Sequence, residues 1–203
     1  MSHPEFFDHV PHLVLIDPLA QFLGASDTGL VEFTYLDAVK LAGHSCPTVA
    51  SAYWMTCLAL KALYAEQIPE RGAIHVEFRD GIESKVTGVI ANVVSMLTGA
   101  SGDGGFKGLG GRFERRHLLS FNANIPLEIR FRRSDNNRCA DVATQLQHVP
   151  AAAEMPVLMQ RCMNDTATPA EQRQFGQLWQ ERVRRILIEH REDPEVFALR
   201  CAD

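Results

Sequence analysis

The most constraining feature of this chain is a long apolar stretch that begins directly after Pro47. For about four helical turns it contains no charged residue before Lys61. A helix that is apolar on most of its faces has to be buried, because none of them suits water. Proline favours the first position of a helix, and Pro69 and Gly72 favour its end. The sequence therefore predicts a central, buried helix from Pro47 to about Glu66.

Three segments in the middle of the chain have the pattern of β-strands. In residues 74–79 and 127–132, apolar and polar side chains alternate, which gives each segment one apolar face. Residues 118–121 are a shorter candidate, with residues 122–126 expected to form the turn that joins it to the following strand. In residues 83–97 the apolar positions recur at helical spacing. The sequence of this region therefore predicts a strand, an amphipathic helix and two further strands, in that order.

Helices are predicted on both sides of this middle region. The helical candidates are residues 3–23, 35–41, 140–147, 155–163 and 169–189, and residues 30–33 are expected to be extended. The last helix is opened by the capping-box spacing of Thr168 and Glu171. We expect an α+β fold in which the central apolar helix and the flanking helices pack on a small mixed or antiparallel sheet. Residues 1–150 are expected to form this domain, and residues 151–203 a helical extension.

The composition restricts the partners of the chain. Of its 203 residues, 46% are apolar and 22% are charged, as in ordinary globular domains. A formal net charge of −5 argues against nucleic acid or an anionic membrane as the main partner. The arginines within residues 112–116 and 130–133 are expected to form solvated faces. Because no apolar run is long enough to span a bilayer and no signal peptide is apparent, we expect a cytoplasmic protein.

The segment Gly43–Pro47, Gly-His-Ser-Cys-Pro, carries the strongest chemical signal. If Pro47 is the first helical residue, Cys46 lies at or near the N-cap, where the positive end of the helix dipole favours a thiolate. A thiolate binds metals or attacks electrophiles. The other four cysteines are scattered and include no Cys-x-x-Cys pair, so neither a disulfide framework nor a zinc ribbon is indicated. We therefore predict that Cys46 is a metal ligand or a catalytic nucleophile.

A metal site at this segment needs further ligands. Zinc sites take three or four protein ligands, so His44 and Cys46 do not suffice. His75 would project from one predicted strand, and His117 lies at the start of another. Zinc is the default metal for such a set, although copper, iron or nickel would also be chemically reasonable. The predicted metal site consists of His44, Cys46, His117 and His75.

Two other interpretations of the same residues remain open. The first is metal-free thiol chemistry, with Cys46 as the catalytic thiolate and His44 as its base or orienting partner. The second is a haem or cofactor carrier, in which His44 or His75 is an axial ligand and the apolar helix lines the pocket. In each case the expected partner is a small-molecule ligand.

Residues 99–111 form a glycine-rich segment with seven glycines in thirteen residues. The segment follows a predicted helix and precedes a strand, whereas a phosphate cradle lies between a strand and a helix. Nucleotide binding is therefore not favoured. We expect a functional loop whose backbone can approach a ligand or a metal.

Two stretches resemble signatures of the FmdE-like family of formylmethanofuran dehydrogenase domains. One is Gly43–Pro47 followed by its apolar helix, and the other is residues 92–99, which end in Leu-Thr-Gly before the glycine-rich segment. The resemblance covers roughly residues 35–133. It implies an α+β domain, often dimeric, with a metal site built around the first motif, here at His44 and Cys46. The leading hypothesis is a cytoplasmic, homodimeric, metal-binding protein of this kind.

The chain departs from that family's pattern at four positions. Ala42 stands where the family commonly has a histidine. Val89 and Asn92 stand where a cysteine and an aspartate are common, and Ala100 where a cysteine often follows Leu-Thr-Gly. The resemblance therefore implies a metal site that has lost ligands or been rebuilt.

Overall fold

The computed structural model describes residues 3–202, which form an α+β fold. The helices are α1 (Pro18–Phe22), α2 (Tyr35–Ala42), α3 (Pro47–Tyr64), α4 (Thr87–Thr98), α5 (Met155–Met163) and α6 (Pro169–Arg184). The strands are β1 (Leu13–Ile16), β2 (Leu30–Phe33), β3 (Ile74–Phe78), β4 (Leu119–Ser120), β5 (Ile129–Arg133), β6 (Cys139–Thr144) and β7 (Phe197–Ala202). Shorter helical turns lie at Glu5–His9, Leu146–His148 and Arg185–Glu189. The predicted fold class is confirmed.

Helix α3 is the centre of the molecule, as the sequence predicts. Of its 18 residues, 13 are buried, so water reaches almost none of its surface. Hydroxyl groups on it are hydrogen-bonded: Thr56 donates to the carbonyl oxygen of Ala52 within the helix at 2.8 Å, and Tyr53 donates to that of Pro11 at 2.9 Å. The helix ends at Tyr64, after which Ala65 has a φ of 50°.

Strands β3 to β7 form one sheet in the order β4-β3-β5-β6-β7. Strand β4 is parallel to β3 and the other neighbouring pairs are antiparallel, so the sheet is mixed. Alternation in β3 is as predicted: Ile74, Val76 and Phe78 are buried, while His75 on the opposite face is half-buried. Strands β1 and β2 pair antiparallel in a separate, two-stranded sheet.

Residues 3–23 differ from the helices predicted there. They form a short 3-10 turn, strand β1 and the five-residue helix α1. Pro11 and Pro18 divide this stretch, because proline interrupts helical hydrogen bonding. The intervening apolar residues pair with β2 instead, Leu13 opposite Phe33. At α1, the side chain of Asp17 accepts hydrogen bonds from the backbone of the first turn.

Two further predictions in the sheet are wrong. Residues 140–147 were expected to be helical, but β6 occupies most of this stretch and is hydrogen-bonded to β5 on one side and β7 on the other. The helical propensity of its alanines is outweighed by this pairing and by the burial of Ala140 and Val142. Residues 122–126 do not close a hairpin, because β3 lies between β4 and β5.

The C-terminal segment contains the predicted helices α5 and α6 and one strand that was not predicted. That strand, β7, is the edge of the main sheet and pairs with β6 along its whole length. The segment expected to be a helical extension, residues 151–203, therefore shares the sheet of the preceding residues. No helix within residues 3–202 combines the length and apolar character needed to cross a membrane.

Candidate functional site

The start of α3 has the geometry predicted for Cys46. Cys46 is the N-cap, Pro47 is the first helical residue, and the Cys46 sulfur accepts a hydrogen bond from the Val49 N–H at 3.5 Å. The thiol is almost fully buried, with 8% of the residue exposed. One of the unpaired amides of the first helical turn therefore points at this sulfur.

The His44 ring is directed toward the backbone of Ala42 rather than toward Cys46. His44 is exposed, and its Nδ1 lies 3.0 Å from the carbonyl oxygen of Ala42. Among the described residues, no hydrogen bond joins the imidazole to the Cys46 thiol. The base–nucleophile contact expected for metal-free thiol chemistry is thus not formed.

Ser45, between these two residues, connects the motif to the rest of the fold. Its hydroxyl donates to Gln180 Oε1 at 2.9 Å and lies 2.9 Å from the hydroxyl of Tyr35. The Ser45 carbonyl oxygen accepts from Trp179 Nε1 at 3.0 Å and from Gln180 Nε2 at 3.2 Å. Burial raises the pKa of Tyr35, so its hydroxyl stays protonated and can donate to Ser45. Helix α6 therefore covers the motif and fixes its backbone.

The two more distant histidines lie on other elements. His75 is on β3, opposite Arg132 of β5; burial lowers the pKa of His75, and the charge of Arg132 lowers it further. His117 precedes β4 with a φ of 59°, and its Nδ1 lies 3.1 Å from a carboxylate oxygen of Asp103. Both His117 and Asp103 are exposed. Neither histidine hydrogen-bonds to the Gly43–Pro47 motif.

The donor set of the motif does not fit a zinc site within one chain. Across residues 3–202, no three His, Cys, Asp or Glu side chains are placed to hold one metal ion. His44 and Cys46 supply two donors at most, whereas a structural zinc ion takes four and a catalytic one three.

A groove of about 760 Å³ opens beside the motif, between α5, α6 and the first residue of α3. We call it the motif groove. Its lining residues are Pro47, Ala151, Ala152, Ala153, Met155, Pro156, Met159, Gln160, Met163, Trp179 and Arg182. The wall is mainly apolar, and Trp179 belongs both to this wall and to the contact with Ser45. The motif and the groove are therefore joined by a shared side chain.

Arg182 is the charged residue of the motif groove. Two backbone carbonyls fix its guanidinium: Nε donates to Val149 at 2.8 Å and Nη2 to Leu146 at 3.2 Å. Burial lowers the pKa of Arg182, and the nearby charge of Arg185 lowers it further. Within the described part of the chain, no carboxylate pairs with Arg182. The groove thus contains a half-buried, oriented cation without a counter-charge.

Sequence analysis did not identify this groove. The helix of residues 155–163 was predicted, and its methionines recur every four residues, at Met155, Met159 and Met163. That spacing places them along one side of a helix. It could have indicated an apolar wall, but nothing local in the sequence relates Arg182 to the same space.

Comparison with known proteins does not assign the chain. No protein-family model matches it, and no curated protein is significantly similar to it in sequence.

Proposed function

We propose that this protein binds a small amphipathic carboxylate in the motif groove. The observation that carries the proposal is Arg182, a half-buried guanidinium held by two carbonyls and facing no carboxylate of the described chain. Burying a charge is unfavourable unless it is paired. A ligand carboxylate would supply the missing partner and form charge-assisted hydrogen bonds with the guanidinium.

The rest of the groove suits the apolar part of such a ligand. Its volume of about 760 Å³ lies in the range of small-molecule sites. Methionine side chains adapt to irregular apolar shapes, and Trp179 adds a flat aromatic surface. Pro47 places the positive end of the α3 dipole at the groove, which also favours a negative group there.

Calorimetric titration with octanoate tests the proposal. We expect Arg182→Gln to weaken octanoate binding about tenfold or more, which corresponds to about 1.4 kcal/mol. Arg173→Gln is the matched control, because Arg173 is an exposed arginine of the same helix outside the groove. Met159→Glu places a negative charge in the half-exposed apolar wall and is expected to abolish binding without disturbing the core.

The same variants distinguish a subunit interface from a ligand site. If octanoate does not bind and Met159→Glu converts a dimer into a monomer, the groove is an interface between copies and the proposal is wrong. Equal octanoate affinity in the wild type and Arg182→Gln would also contradict it.

A metal centre at the motif is the second candidate function. It is favoured by the Cys46 sulfur at the start of α3, two residues from the exposed His44. Because one chain supplies only two donors there, a zinc ion would need others from outside the chain. The homodimer that the family resemblance implies would supply a second His44 and Cys46. We retain zinc binding, the homodimer and a cytoplasmic location as proposals; five free cysteines suit a reducing compartment.

Elemental analysis of protein purified without added metal, combined with light scattering, tests this candidate. The hypothesis predicts roughly one zinc per two chains, lost in Cys46→Ser but retained in Cys201→Ser, which changes an exposed thiol. A metal-free preparation whose Cys46 alkylates rapidly would favour metal-free thiol chemistry instead. An absorbance band in the visible region would favour haem, although neither His44 nor His75 lines the motif groove.

A further inference from the structure

A second cleft, of about 580 Å³, lies on another part of the molecule, where α4 ends and the glycine-rich segment begins. We call it the arginine cleft. Its lining residues are Leu19, Leu41, Arg71, Asn92, Ser95, Met96, Gly99, Ser101, Phe106 and Arg115. It shares no lining residue with the motif groove. A ligand in the arginine cleft would therefore not touch the motif groove.

One carboxylate holds both arginines of this cleft. Arg71 Nη1 donates to Asp17 at 2.8 Å, and Arg115 Nη2 donates to the other carboxylate oxygen of Asp17 at 2.7 Å. Arg71 also donates through Nε and Nη2 to the carbonyl oxygen of Met96, at the end of α4. Asp17 and Arg115 are both buried. Two guanidinium charges thus share one carboxylate at this position.

One of the three guanidinium nitrogens of Arg115, Nη1, lacks a hydrogen-bond partner among the described residues. Arg115 is 6% exposed, yet its Nη1 is buried and makes no hydrogen bond within the described chain. Buried donors are nearly always satisfied, and an unsatisfied one is unfavourable. Glu70, whose charge also acts on Arg115, lines a neighbouring cleft and not this one. No carboxylate is among the described residues that line the arginine cleft.

The surrounding backbone is shaped around this guanidinium. A Cβ atom on Gly99 would lie 2.1 Å from Arg115 Nη1, and one on Gly72 would lie 2.6 Å from the Arg115 guanidinium carbon. Both glycines have positive φ angles, 74° and 88°. Nη1 thus lies against Gly99, which itself lines the arginine cleft. The site is built by conformations that other residues rarely adopt.

We infer that the arginine cleft binds an oxyanion group, a carboxylate or a phosphoryl group, of a small molecule. The oxyanion lies beside Arg71 and Arg115 and offsets the guanidinium charge that Asp17 alone does not balance. Asn92 and Ser101 bring an amide and a hydroxyl to the same cleft. Phe106 and Leu41 supply an apolar surface for the rest of the molecule. The glycine-rich segment is then the wall of an anion site rather than a nucleotide loop.

Thermal unfolding with inorganic phosphate, acetate or chloride at equal ionic strength tests this inference. We expect phosphate, acetate or both to raise the unfolding temperature of the wild type more than chloride does. Comparing the unfolding temperatures in phosphate and in acetate shows which oxyanion the site prefers. If neither anion exceeds chloride, the inference is wrong.

Asn92→Asp is the decisive variant, because Asn92 is exposed and its replacement leaves the buried network intact. The added negative charge is expected to weaken anion binding at least tenfold. Arg116→Gln is the matched control, since Arg116 adjoins Arg115 in sequence but pairs with Glu114 outside the cleft. Equal anion binding in Asn92→Asp and the wild type would overturn the inference.

Discussion

At the scale of single residues, two arginines are more buried than their local sequence indicates. The arginines of residues 112–116 were expected to form a solvated face, but Arg115 is buried against Asp17. Arg182 is likewise half-buried, because its guanidinium is hydrogen-bonded to the carbonyl groups of Leu146 and Val149, which are distant in sequence. The burial of such side chains cannot be predicted from the local sequence pattern, because their hydrogen-bond partners lie far along the chain.

Asp17 leads to a prediction about pH. Burial opposes ionisation of its carboxyl, but hydrogen bonds from Arg71 and the Ala20 backbone and the charge of Arg115 outweigh this, so the pKa of Asp17 is lowered. A carboxyl whose pKa is lower in the folded state stabilises the protein above the unfolded pKa, about 3.9. That contribution is lost as the pH falls through the folded pKa.

We therefore expect Asp17→Asn to lower the free energy of unfolding at neutral pH, by roughly 3 kcal/mol or more, because two arginines lose their shared partner. The difference from the wild type should shrink as the pH falls below about 4. Urea unfolding at several pH values measures it. Asp8→Asn, which changes an exposed carboxylate, is the control. A difference that is constant from pH 7 to pH 3 would contradict this assignment.

At the scale of elements, strongly patterned segments were predicted and context-dependent ones were not. Helix α3 follows from its continuous apolar sequence and from Pro47, and β3 follows from its alternation. Strand β6 does not, because its two alanines favour a helix whereas Val142 and Thr144 favour a strand, and pairing with β5 and β7 decides between them. The N-cap position of Cys46 was predictable, whereas its cover, α6, lies more than 120 residues away.

The contribution of the contact between α6 and the Gly43–Pro47 motif to the free energy of unfolding should be measurable. Gln180 hydrogen-bonds to both the hydroxyl and the carbonyl of Ser45. We expect Gln180→Ala to lower the free energy of unfolding by about 1–3 kcal/mol, because the Ser45 hydroxyl loses its acceptor and the Ser45 carbonyl keeps only Trp179. Gln177→Ala, an exposed glutamine on the same helix, should change it by less than about 0.5 kcal/mol. Similar effects from the two variants in chemical denaturation would show that α6 does not fix the motif.

At the scale of the whole molecule, the C-terminal segment completes both the sheet and the groove. Strand β7 extends the main sheet, and α5 and α6 form walls of the motif groove beside the start of α3. A chain ending near residue 150 would therefore lack strand β7 and helix α6. Without α6 it would have neither the residues that cover Ser45 nor Arg182. The C-terminal segment therefore contacts the motif directly, through hydrogen bonds from Trp179 and Gln180 to Ser45.

The central claim is that Arg182 recognises a negative charge at the end of an apolar ligand. Calorimetric titration of the unmodified protein with octanoate and with 1-octanol tests it most directly, because the two ligands share a chain length and differ in charge. We expect octanoate to bind at least about tenfold more tightly, a difference of about 1.4 kcal/mol. Equal affinities, or tighter binding of the alcohol, would contradict the claim.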